Sequence, residues 1–180
     1  MSEIALLDKA IQPIVLAAFL SRLFKKWDVL LTVVGGAAVQ YYTQGEYNTE
    51  DLDSILSGDT KEIIEEVMGS LGFKRTSMYR HFEHPSFDFV VEFPPSPIEV
   101  GNRHVDTLAN VETQEGLVRI IRVEDLIMDR IIAGVEWRDP PSLDQARLLW
   151  VKNKKHIDLK YLKQFAKEEG YADTLKKIIQ

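Results

Sequence analysis

Cysteine is absent from the 180 residues of this chain, which excludes disulfides, thiolate zinc sites and cysteine nucleophiles and fits a reducing compartment. Long apolar runs are lacking too. None reaches the roughly 20 residues that span a bilayer; the nearest, Ile11 to Phe24, is interrupted by Gln12, Pro13, Ser21 and Arg22. No small-residue cleavage site follows a basic start. The sequence therefore predicts a cytoplasmic protein with no membrane partner. Positive charge is in short supply: 22 Lys and Arg against 28 Asp and Glu leave a formal charge of -6, which argues against a general affinity for nucleic-acid phosphates. The densest basic cluster, Lys152, Lys154, Lys155, His156, Lys160 and Lys163, reads as a solvated helix surface. Internal repeats, low-complexity segments and evident linkers are also missing. What remains is an ordinary globular composition, 45% hydrophobic and 28% charged, long enough for one substantial core or a domain with a small appendage.

The most informative segment is Val33 to Ile55, VVGGAAVQYYTQGEYNTEDLDSI. Gly35 and Gly36 follow the apolar run Val29 to Val34, which reads as a central strand, and Ala37 and Ala38 open a short helix. A strand, a tight glycine turn and a helix N-terminus together let backbone amides approach phosphate oxygens, where the helix dipole favours negative charge. Downstream, strand alternation in Asp51-Leu52-Asp53 puts both carboxylates on one face. Two adjacent acids repel unless a cation lies between them, and hard oxygen ligands suit Mg2+. The pair reads as a metal site facing a phosphate site.

Helical spacing continues on either side. Ile4, Leu7 and Ile11 form one stripe, and Leu16, Leu20, Leu23, Phe24 and Trp27 another after Pro13. Asp59 with Glu62 resembles a capping box before Ile63, Ile64, Val67, Met68 and Leu71, with Gly69 or Gly72 as the stop. Phe73 to Tyr79 and Phe87 to Phe93 are strand candidates, separated by His81 to Ser86. In the second, Phe87, Phe89, Val91 and Phe93 share one face and leave Asp88 and Glu92 on the other, both able to join a metal site. His81 and His84, with no other clustered ligand, read as a polar loop, in which Arg80 could grip a phosphate. Gly101 to Asn110 is turn-rich and leads to a strand at Leu117 to Val123.

Beyond Glu124 the pattern is helical: one helix through Leu126, Ile127, Ile131 and Val135, one capped by Ser142, one capped by Asp158 and ending at Gly170, and a last from Asp173 to Ile179. Asp125 and Asp129 fall four apart on the first, with Arg122 or Arg130 to offset them. Tyr41, Tyr42 and Trp137 could stack on a base but read first as packing residues. The expected fold is α+β: a mixed β-sheet core over residues 1–123 with N-terminal helices, and a helical C-terminal extension over 124–180 packed on it as one compact unit.

An apolar strand, a diglycine, a short helix and then Asp-x-Asp resemble the core of the nucleotidyltransferase superfamily, the minimal fold like that of DNA polymerase beta, over roughly residues 28 to 93. Thr49, two residues before Asp51, belongs to that likeness. Glu92-Phe93-Pro94, Asp129-Arg130, Trp137-x-Asp139, Ser142 to Ala146 and Glu168-Glu169-Gly170 resemble small nucleotidyltransferase-like proteins of unassigned function. The resemblance implies a two-metal transfer of a nucleotidyl group from an NTP such as ATP to an acceptor hydroxyl. Asp51, Asp53 and Glu92 would be catalytic and hold Mg2+ or Mn2+, with Asp88 in reserve as a ligand, and Gly35, Gly36, Ala37 and Thr49 would hold the nucleotide. The acceptor, whether small molecule, protein or RNA, is not indicated. The other reading is a catalytically silent fold serving as a binding protein, for instance a regulatory or toxin-antitoxin partner.

Overall fold

The computed structural model describes residues 12–58 and 60–180. These form two compact units, one built from the described residues through Pro97 together with Ala109–Ile120, the other from Ile98–Leu108 and Ile121–Gln180. The expected stripe at Ile4, Leu7 and Ile11 and the Asp59 half of the capping box lie outside the described residues.

The first unit is a seven-stranded sheet with helices. Its strands are β1 (Leu31–Val33), β2 (Asp51–Leu56), β3 (Lys74–Arg75), β4 (His81–Glu83), β5 (Val90–Glu92), β8 (Leu108–Thr113) and β9 (Gly116–Ile121), in the spatial order β3-β4-β5-β2-β1-β9-β8. Pairing is mixed: β1 with β9 and β2 with β5 are parallel, whereas β1 with β2, β3 with β4 and β4 with β5 are antiparallel. The helices are α1 (Gln12–Phe24), α2 (Gly35–Tyr42) and α3 (Lys61–Ser70).

Register and alternation give this sheet two unlike faces. Leu31, Val33, Leu52, Leu56, Phe82, Val91, Val118 and Ile120 are all buried; α1 packs along β1 and β2, and Phe93 meets Phe24 and Phe82 edge to face at 5.7 and 6.0 Å. Removing that apolar area from water, at about 25 cal/mol per Å2, is the chief stabilising term. The opposite face carries Thr32, Asp51, Asp53, His81, Glu92 and Arg119 together with Ile55 and Val90.

Several elements differ from expectation. The strand expected at Phe73–Tyr79 shrinks to β3, because Thr76 N–H donates to His81 O at 2.9 Å and a turn through Ser77 to Arg80 leads into β4. Arg80 takes φ +59° there, a conformation uncommon for a residue with a Cβ. His81–Glu83, read as loop, is therefore a strand. The one expected at Phe87–Phe93 is regular only over Val90–Glu92, and the turn-rich stretch after Gly101 contains the start of β8. Helix α3 stops as expected at Gly72, which has φ +85°.

The second unit holds a small hairpin, β6 (Glu99–Val100) with β7 (Arg103–His104), and four helices, α4 (Val123–Glu136), α5 (Pro140–Asn153), α6 (Leu159–Glu168) and α7 (Ala172–Ile178). Helix α4 packs on α5 and α6, burying Leu126, Ile127, Ile131, Leu149, Leu162 and Phe165. Asp158 caps α6 as expected, accepting Tyr161 N–H at 3.0 Å. Ser142 does not cap α5. That helix starts two residues earlier, with Pro140 and Pro141 at its first positions, where a missing N–H costs nothing, and the Ser142 hydroxyl turns to Asp139 at 2.6 Å. Trp137 is 79% exposed rather than packed. No helix among the described residues is long and apolar enough to cross a membrane.

Candidate functional site

The polar face of the first unit's sheet gathers most of the residues singled out in the sequence. Strand β2 alternates half-buried Asp51, Asp53 and Ile55 with buried Leu52, Ser54 and Leu56. Parallel pairing places Asp51 opposite Val90 and Asp53 opposite Glu92, and cross-strand partners project from one side of a sheet. Glu92 therefore shares the face of both aspartates. Asp88, exposed, sits in the bend before β5 and outside the ladder.

Helix α2 begins at Gly35 itself, so the two glycines form its first turn rather than a turn before it. Gly35 has φ +56°, and a Cβ built there would overlap the Asp53 carboxylate. A Cβ on Gly36 would overlap Thr49. Only glycine admits these side chains so close to the helix start. The Gly36 amide donates to Asp53 Oδ2 at 3.2 Å, using one of the first-turn N–H groups that have no partner within a helix. Thr49 accepts the Asp51 amide at 3.2 Å on its hydroxyl, and its own amide donates to Gln40 Oε1 at 3.1 Å. Buried Gln40 on α2 thus fixes the backbone that presents the first aspartate. Ala37, one residue on, is buried at 1% exposure, so its contribution to the site is its backbone.

Two further residues, His81 and Arg119, were not read from the sequence as part of this face. His81 pairs in register with Glu92 across β4 and β5, and its Nε2 stands 3.1 Å from Glu92 Oε2. Its only sequence signal was His81-Phe82-Glu83, a polar-apolar-polar triplet too short to separate from loop. Arg119 pairs with Thr32, itself opposite Ile55, and so belongs to the same side. Its Nε is buried without a hydrogen-bond partner, and burial pulls its guanidinium below the ordinary arginine range. Arg80, read from the sequence as able to grip a phosphate, lies in the turn before β4, and its Nε too is buried without a hydrogen-bond partner.

His84 joins none of this. Its Nδ1 accepts the Ser86 amide at 3.1 Å, and its ring lies 5.0 Å from that of Phe73. Arg130 binds Asp129 and Gln145 within the second unit, a structural role. Tyr41 and Tyr42 meet edge to face at 5.3 Å. Among the described residues, no three His, Asp or Glu side chains are gathered tightly enough to enclose a metal ion. The donor chemistry nevertheless fits one: two aspartates and a glutamate, all oxygen ligands, beside a cradle that a single Cβ would fill.

No family model matches the sequence, nor does any curated protein. Solved structures do match in fold. An antigenic nucleotidyltransferase-like protein from Paracoccidioides brasiliensis superimposes with a TM-score of 0.60 at 12% identity, over 94% of this chain and 93% of the other. The antibiotic-resistance factor ANT(2'')-Ia does so with a TM-score of 0.56 at 15% identity, over 94% and 98%. Its complex with adenylyl-2''-tobramycin gives 0.55 at 16%, over 88% and 98%. The chain has the nucleotidyltransferase fold, an α+β architecture with a mixed sheet.

Proposed function

We propose that this protein is a divalent-metal-dependent nucleotidyltransferase that moves a nucleotidyl group from a nucleoside triphosphate, ATP among the candidates, to an acceptor hydroxyl. One observation carries the reading: Asp53 stands in register with Glu92, and Asp51 shares their face, directly before a helix that opens on two glycines. Like charges opposite one another across strands are destabilising. A cation between them reverses the sign of that interaction. Asp51, Asp53 and Glu92 would hold Mg2+ or Mn2+, with Asp88 in reserve. Bound there, the metal would supply charge neutralisation at the triphosphate and polarise the α-phosphoryl group.

The chain's own part is positioning. First-turn amides of Gly35, Gly36 and Ala37, with Thr49 beside them, would take phosphate oxygens at a helix N-terminus. Arg119 and Arg80, each with a buried Nε lacking a partner, would add positive charge. In the transfer, the acceptor oxygen bonds to the α-phosphorus while the α-phosphorus bond to the bridging oxygen breaks. Pyrophosphate leaves with that electron pair, and the hydroxyl proton passes to a carboxylate or water. Little covalent chemistry is asked of the protein. The likeness to ANT(2'')-Ia, seen with adenylyl-2''-tobramycin, supports a small hydroxyl-bearing molecule as acceptor over a protein or RNA.

Calorimetric titration of the protein with each of the four NTPs in Mg2+ tests the reading. Saturable binding to at least one is expected, and Asp51→Asn combined with Asp53→Asn should abolish it. If no nucleotide binds, the enzyme reading fails. Co-purification of a stoichiometric partner, insensitive to those two substitutions, would point instead to a silent fold serving as a binding protein.

A further inference from the structure

We infer that Arg119 decides which acceptor the site takes: a small molecule that carries an oxyanion, phosphate or carboxylate, besides the hydroxyl to be modified. This rests on the proposed function above and narrows its acceptor class. Arg119 pairs in register with Thr32, which stands opposite Ile55, so it shares the side of Asp51, Asp53 and Glu92. Its Nε is buried with no hydrogen-bond partner among the described residues. Burial alone pulls its guanidinium below the ordinary arginine range, with no carboxylate among the described residues to offset it. A counter-charge to the acids of this face would be raised by them. A buried polar group without a partner costs stability. What suits it is an oxyanion, because the planar fork of an arginine takes a carboxylate or phosphate with two parallel bonds. The residue is half-buried, not sealed off.

The place of Arg119 in the sheet assigns that anion to the acceptor rather than to the triphosphate. Along β1 the chain passes Thr32, then Val34, whose amide donates to Asp53 O at 3.0 Å, and only then Gly35 and Gly36 at the start of α2. Arg119, level with Thr32, therefore lies on the far side of Asp53 from the glycines that would hold the phosphate chain. In displacement at phosphorus the attacking and leaving oxygens lie roughly in line. With pyrophosphate leaving towards the glycines, the acceptor approaches from the other side, where Arg119 is. Two residues along a strand span about 7 Å and two strand spacings about 10 Å, which puts the backbones of Arg119 and Asp53 on the order of 12 Å apart. A small acceptor held between the arginine fork and the reacting centre closes a gap of that size.

The test is calorimetry on the full chain, saturated with Mg2+ and a non-hydrolysable analogue of the NTP it binds, and titrated with glycerol 3-phosphate, glycerate, glycerol and glucosamine. The first two each join a hydroxyl to an anion and separate a phosphate-bearing from a carboxylate-bearing acceptor; glycerol is the neutral control and glucosamine the cationic one. Saturable binding of at least one anionic probe, tighter than either control, is expected. Arg119→Gln, which removes the charge, should weaken that probe about 10- to 100-fold and the NTP by less. Arg119→Met, which keeps an unbranched stem without the charge, should unfold in urea at the wild-type midpoint or above it, where a structural arginine would be missed. Binding of neither anionic probe, or equal binding by the wild type and Arg119→Gln, overturns the inference and leaves the proposed function standing. So does a loss of NTP affinity in Arg119→Gln as large as the loss for the probe, since the arginine would then serve the triphosphate. Marked loss of stability, or failure to fold, in both Arg119→Met and Arg119→Gln overturns it as well, showing the residue to be structural. If the wild-type protein binds no NTP, the proposed function falls and this inference with it.

Discussion

Asp53 in the first unit and Asp125 in the second both have close donors, yet their settings differ in kind. Asp125 has a fully buried side chain that accepts Arg122 Nε at 2.9 Å and the Tyr161 hydroxyl at 2.5 Å. The Arg122 guanidinium lies 4.3 Å over the Tyr161 ring, and Arg103, 4.0 Å over Phe165, bonds the same hydroxyl and pairs with Glu168. Burial first, and then the bond to Asp125, push the Tyr161 hydroxyl above its ordinary range. Opposite charges meet there, and no carboxylate stands in register with another. Asp53 instead lies half-buried, in register with a second acid, on a face where an arginine Nε has no partner. Charge matched by the opposite sign in a buried cluster holds a fold together; two carboxylates in register on one face suit a cation between them.

The contrast can be broken most forcefully at Asp125. Asp125→Ala strands Arg122 beside a buried hydroxyl, and breaking a buried pair by removing one partner costs about 3–5 kcal/mol; the urea unfolding midpoint should fall accordingly. Asp53→Asn should leave that midpoint nearly unchanged or raise it, since it relieves a like-charge pair. A large loss there would show Asp53 to be structural. Gly35→Ala comes next. It forces a Cβ into φ +56° and against the Asp53 carboxylate, so stability should drop by about 1–3 kcal/mol, with loss of whatever nucleotide affinity the wild type shows by calorimetry.

The smallest effect is a titration in the second unit. Tyr171 donates to Glu136 at 2.6 Å, and that bond first, then burial, push its phenol from 10.0 up to about 12. A pKa raised by folding means the protonated form is favoured in the folded state. Its contribution is complete below pH 10 and is lost as pH rises from 10 towards 12. The stability gap between the wild type and Tyr171→Phe, measured by denaturant midpoints, should therefore close across that window. A gap constant with pH would show that the hydroxyl's bond does not titrate as described.

Much of this was legible in residues taken one segment at a time. The β2 strand ran from Asp51 to Leu56 with alternating burial, and Ile64, Val67 and Met68 of α3 and Leu126, Ile127 and Ile131 of α4 fell on buried faces, whereas Val135, expected beside them, is 40% exposed. These signals are local, because period-2 and period-3.6 patterns follow from backbone geometry alone. Short elements escaped: β4 is three residues long and β7 two, and no pattern that brief rises above loop composition. Ser142 misled for a related reason. A serine before an apolar run is a good cap signal, but two prolines upstream had already fixed the helix start.

By itself, then, the sequence determined that Asp51 and Asp53 share a face and that Glu92 lies on the polar side of its strand, since each depends only on neighbours along the chain; that glycine is required at 35 and 36 was decided by the approach of Asp53 and Thr49 to the start of α2. Tertiary structure alone decided which acid stands beside which. Glu92 meets Asp53 rather than Asp51 because β2 and β5 pair in a particular register, and His81 reaches Glu92 because β4 turns back antiparallel beside β5. Register is set by burial of Leu52, Phe82 and Val91 on the other face, where a slip of one residue would turn Asp51, Asp53 or Glu92 into the core.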